Sequence, residues 1–194
     1  MVYCPLRRQL RQYCHMGRAM RSMAIVLSVG LLLLSGCERK PTVVLHDVMK
    51  DVVAPQAQIV WDVANNAQDD DGKPDPSKLT DGDWAKIADA GRKLKDQATA
   101  ISDAAHLTVA PPGQKIQDEE NSGASTAAQV QGFIAADPQG FAAFAKTLAE
   151  QADKFTGAAQ SRDAAKLADA AGSLDQVCES CHVKYWYPQQ AAGK

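Results

Sequence analysis

The amino-acid sequence predicts an all-α protein, an antiparallel four-helix bundle. Four stretches of 20 to 28 residues carry apolar side chains at alternating spacings of three and four, the signature of helices that bury one face. The breaks between them are rich in Asp, Gly and Pro, and no run of alternating residues is long enough to argue for a strand. Past Val63 the apolar content is mostly alanine, with few aromatic and β-branched residues, which suits closely packed helices.

The first stretch runs from about Val43 to Asn65 and is expected to bury Leu45, Val48, Val52, Ile59 and Val63. Pro55 lies inside it, removes one backbone hydrogen bond and predicts a kink. Residues 65–79 read as a solvated loop. The second stretch has the clearest seam: Trp84, Ile87, Gly91, Leu94, Ala98, Ile101 and Ala105, opened by a capping box of Thr80 and Asp83. A second loop spans 109–123, and residues 125–135 have the length of a short extra helix. In the third stretch Asp137 and Pro138 read as N-cap and first helical residue, Phe141, Phe144, Leu148, Ala152 and Phe155 share a face, and Gly157 is expected to fray the end. The fourth begins near Ser161, buries Leu167, Ala170, Leu174, Val177 and Cys181, and stops at Tyr187-Pro188. No internal repeat is apparent.

Five arginines precede an apolar run of only 11 residues, Ala24 to Leu34, too short to span a bilayer, which needs about 20. The run ends in Leu34-Ser35-Gly36-Cys37. Residues 1–36 therefore read as a signal peptide, and the segment resembles the lipobox of bacterial lipoproteins, cut before a cysteine that carries lipid. On that reading residues 37–194 form one domain, lipidated at Cys37. It lies on the periplasmic side of a Gram-negative envelope, with Glu38 after the cysteine pointing to the outer membrane. Met16, Met20 and Met23 are alternative starts within the leader. Without the leader the chain has 16 basic against 23 acidic residues, a net charge of about −7, which excludes nucleic acid as a partner and favours a basic surface on a partner protein. Cys4 and Cys14 fall in the leader, so Cys178 and Cys181 remain as the free cysteines.

Those two belong to Cys178-Glu179-Ser180-Cys181-His182. Positions i, i+3 and i+4 share one helix face, so a single helix presents two thiols to the two vinyl groups of a haem and the adjacent imidazole to its iron. The expectation is one covalent haem c on Cys178 and Cys181 with His182 as axial ligand. A thioredoxin-type redox pair usually sits where a strand meets a helix; a zinc site needs two further ligands, for which only His46 and His106 are available.

With this motif near its C-terminus and a four-helix pattern, the chain resembles the class II c-type cytochromes: cytochrome c prime and its low-spin, methionine-ligated relatives. Their motif commonly continues His-x-x-Tyr and a basic residue; here Tyr185 agrees and Trp186 stands in place of the basic residue. The stretch from Met49 through Trp61 is similar to the first helix of the low-spin relatives, in which an early methionine is the sixth iron ligand. The resemblance implies that role for Met49 and a possible homodimer. Met49 as core filling, or His46 one turn earlier as the ligand, are the other readings. Trp61 and Tyr185 are expected beside the haem, Trp84 in the core, and His106 in solvent. Three functions follow: single-electron transfer to a redox partner protein, with no enzyme activity; gas binding at an open sixth position; and peroxide reduction, the weakest, since only His46 is placed to move protons.

Overall fold

A computed structural model describes residues 42–188. Residues 1–36, expected to be a signal peptide, and Cys37, the expected lipidation site, lie outside the described residues. Four long helices dominate. α1 is a continuous rod of three pieces, Leu45–Val48, a π-helical turn Met49–Val53, and Ala54–Asn66. α2 is Asp81–Ser102, α3 the short Ala127–Ala136, α4 Pro138–Ser161 and α5 Ala164–Tyr185. α1 packs on α2 and α5, and α4 packs on α2 and α5, so the four long helices close a ring, with α2 and α4 in the largest contact. No helix among the described residues is long and apolar enough to cross a membrane.

The helix starts are chemically explicit. Thr80 accepts from Asp83 N–H while the Asp83 carboxylate accepts from Thr80 N–H, a complete capping box; Thr126 and Gln129 repeat it on α3. Asp137 caps α4 through Gly140 N–H, and Asp163 caps α5 through Lys166 N–H. The fully buried Ile87, Leu94, Phe155, Leu167 and Leu174 anchor the larger core cluster. Buried Gln151 on α4 donates to the Ala170 carbonyl of α5 at 2.6 Å and accepts from Lys154, so its burial leaves no amide unpaired.

Several expectations are corrected. Thr42–Val44 (β1) and His106–Thr108 (β2) form a small parallel pair, so the fold has a strand after all, and exposed His106 lies in it rather than at a helix end. α2 stops at Ser102, leaving Ala105 exposed outside the seam. α4 does not fray at Gly157 but runs to Ser161 and turns through left-handed Arg162 at φ 51°. α5 starts at Ala164, with Asp163 as cap, and ends at Tyr185, where Trp186 and Tyr187 both donate backbone N–H to the His182 carbonyl.

The largest correction is in α1. Pro55 has no N–H, and its ring crowds the carbonyl four residues earlier, so the preceding turn opens: Ala54 N–H reaches back five residues to Met49 O. A π turn holds one residue more than an α turn, and the buried positions around Pro55 are displaced by one, while Val63 is buried as the period predicts. Val53 and Val60 are buried where the uninterrupted period predicts Val52 and Ile59, which are half-buried.

Candidate functional site

A cavity of about 350 Å³ opens between the two core clusters, walled by α1, α4, α5 and the loop after β2. That volume lies within the ~300–1,000 Å³ usual for cofactor sites. With the π turn in place, α1 faces the cavity with residues spaced by four from Leu45 to Trp61. An inner row of Leu45, Met49, Val53, Ala57 and Trp61 is buried or half-buried; an outer row of His46, Lys50, Ala54 and Gln58 is exposed apart from half-buried His46. A regular α-helix at 3.6 residues per turn drifts off such a line within a few turns. The insertion is what aligns the wall.

Opposite, α5 contributes Val177, Cys178, Cys181, His182 and Tyr185, and α4 contributes Phe141, Phe144, Ala145 and Leu148. Cys178, Cys181 and His182 thus lie on one wall of the same cavity that Met49 lines from α1, and Trp61 and Tyr185 line it too. Trp84 is buried in the core and takes no part in the lining. His46 also reaches the cavity, but its Nδ1 is held at the rim, 3.0 Å from Asp47 Oδ1 and 2.9 Å from Gln114 Nε2, and its backbone N–H donates to the Val109 carbonyl.

Aromatic rings fix the α5 wall. Tyr185 is 3% exposed and meets Phe141 and Phe144 edge-on, at 5.2 and 6.0 Å between centroids, while its hydroxyl reaches the Asp137 carboxylate at 3.3 Å. Trp186 lies edge-on to the His182 ring at 4.9 Å. Trp61 Nε1 donates to the Ala171 carbonyl at 3.3 Å and ties α1 to α5 beside the cavity. Lys184 pairs with Asp137 at 2.6 Å and lies over the Tyr185 ring, closing α5 against the cap of α4.

Electrostatics separate the chemistries open to this wall. Burial pushes the Cys178 thiol up to about 11 and the Cys181 thiol up to about 12, so neither is the thiolate that a dithiol redox pair requires. Both stand within α5 and not at a junction of strand and helix. Burial also lowers the His182 pKa, against an opposing pull from Glu179, which favours the neutral imidazole with a free lone pair. No cluster of three or more His, Cys, Asp or Glu that could hold a metal ion occurs among the described residues. An apolar cleft with two thiols and an imidazole on one wall and a thioether on the facing helix fits a haem better than either a redox disulfide or zinc.

An all-α protein with this motif on its last long helix is a c-type cytochrome of the second class. The family model described as Cytochrome C' matches residues 83–186, a little over half of the chain, and the chain belongs to that family. Its cofactor is covalently attached haem c, typically one per chain. No curated protein and no solved structure matches the chain. The match leaves α1 outside it, and with it Met49, His46 and Trp61.

Sequence reasoning missed most of the wall. Phe141 and Leu148 read as ordinary core, and Ile116 and Gln117 as loop; all four line the cavity. For α1 the signal was present in the spacing of four from Leu45 to Trp61, overshadowed by the expected helical period.

Proposed function

We propose that the protein is a one-haem electron carrier, in which Cys178 and Cys181 attach the haem, His182 ligates iron on one side and Met49 on the other. When bound, the haem supplies an iron that gains and loses one electron. The chain's own residues do the rest: the α5 wall holds and orients the imidazole, and the apolar lining excludes water. The single observation that carries the reading is Met49 in the inner, buried row of α1, in the same cavity as His182, with Leu45 and Val53 one turn to either side. A thioether is a soft, neutral ligand that favours ferrous iron and raises the potential. His46 belongs to the outer row, toward the rim, whereas Met49 stands in the inner row, and that placement favours methionine over histidine.

The rest of the assignment follows from the sequence. The protein acts in the periplasm as a lipoprotein anchored through Cys37, performs no substrate chemistry, and passes electrons to a partner with a basic surface. Carbon monoxide uptake tests the filled sixth site. The reduced protein should take up little carbon monoxide, and Met49→Ala should bind it readily while keeping its covalent haem. Ready uptake by the unmodified protein overturns electron transfer in favour of gas binding. A protein that refuses carbon monoxide with and without Met49, and binds it after His46→Ala, transfers the ligand role to histidine.

A further inference from the structure

A haem brings two carboxylates as well as an iron, and an apolar cleft must either expose them or offset their charge. Among the described residues that line the cavity there is one lysine or arginine and no carboxylate: Lys50, in the outer row of α1. It is exposed, lies next to Met49 in the π turn, and makes no salt bridge among the described residues. Lys78, Lys146 and Lys154 also make no salt bridge among the described residues, but none of them lines this cavity. Lys86, Lys93, Lys95, Lys166 and Lys184 each have a carboxylate within reach. The outer row flanks Lys50 with polar groups, His46 one turn before it and Gln58 two turns after it, both lining the same cavity. On the α5 side the wall carries Trp186 and no cation, since the Lys184 ammonium is turned to Asp137.

We propose that the outer row of α1 is the propionate edge of the haem site, with Lys50 as the counter-ion of a propionate. The inference rests on the haem reading above and adds to it the direction in which the porphyrin lies: carboxylates toward the exposed row His46, Lys50 and Gln58, macrocycle toward the inner row and the α5 wall. A fixed positive charge there also disfavours the ferric state, so Lys50 tunes the potential upward while it anchors the group. Consecutive helix residues point about 100° apart, so Met49 falls in the inner row and Lys50 in the outer one.

The test uses the full-length, haem-loaded protein with Lys50→Gln, Lys50→Glu and Lys50→Arg, and Lys93→Gln as a control cation that does not line the cavity. Each preparation is first checked for covalent haem by mass; a wild-type chain without haem sinks the haem reading itself, independently of this one. The propionate bending band is then read by resonance Raman, and the midpoint potential by titration. The band should shift in the Gln and Glu variants and return in the Arg variant, and the potential should fall from Lys to Gln to Glu, with Lys93→Gln moving neither. Because Lys50 is exposed, all variants should fold. A propionate band in Lys50→Gln that coincides with that of the unchanged protein overturns the proposal, whatever the potential does.

Discussion

At Gly91 a single hydrogen in place of a side chain sets how closely α2 and α4 approach. A Cβ there meets Thr156 Oγ1 at 2.8 Å, the Ala152 carbonyl at 3.0 Å and Phe155 Cβ at 3.2 Å. The hydroxyl can turn away, but the backbone carbonyl cannot without moving the helix. Gly91→Ala should therefore destabilise by about 1–3 kcal/mol in urea unfolding, as overpacking does, and adding Thr156→Ala should recover only part. Unchanged stability would mean that the helices are free to part. Asp83 supplies a pH signature at the same scale. Hydrogen bonding from Thr80, then from Lys86, holds its carboxyl at about 2 against an ordinary 3.8. A depressed folded-state value contributes stability that is whole above the unfolded value and is lost as pH falls through the folded one. The melting temperature should accordingly drop between pH ~4 and ~2 more steeply than in Asp83→Asn, and parallel curves would contradict the capping account.

The element that decides the site is α1, and it marks the boundary of what the sequence discloses. The helix positions, the caps Thr80 and Asp137, and the cysteine pair on the last helix all follow from local chemistry, and local chemistry is legible residue by residue. Pro55 announced a disturbance but not its form. The form is a π turn just before the proline, and it places one row of α1 along the cavity wall. The β1–β2 pair escaped notice because three residues are too few to show alternation, and their partners lie more than sixty positions apart. Deleting Asp51 should convert the π turn to an α turn and rotate Leu45 to Lys50 by about 100° against the rest of the rod. Met49 then leaves the cavity while Cys178 and Cys181 keep the haem. The reduced deletion variant should bind carbon monoxide; a covalent haem that still refuses it would show that the π turn does not place the ligand.

Across the whole molecule the cavity lies between two core clusters, so on the proposed reading a haem held there would double as packing that joins them. The double variant Cys178→Ala/Cys181→Ala should carry no covalent haem and should melt at a lower temperature with less helix by circular dichroism; a haem stain that survives denaturing electrophoresis would contradict the attachment. The charge balance acts at this scale too. Residues 37–194 carry 16 basic against 23 acidic residues, a net charge of about −7, so the proposed electron transfer to a basic redox protein should slow as salt rises, because exposed charges are screened beyond ~10 Å at 0.1 M. A rate that rises with salt would reverse the sign of the proposed partner surface. All of these rest on the iron being held between α5 and α1. The near-infrared absorption of the ferric protein tests that most directly: methionine ligation predicts a low-spin spectrum with a weak sulfur-to-iron charge-transfer band that disappears in Met49→Ala, and a high-spin ferric protein without the band would contradict it.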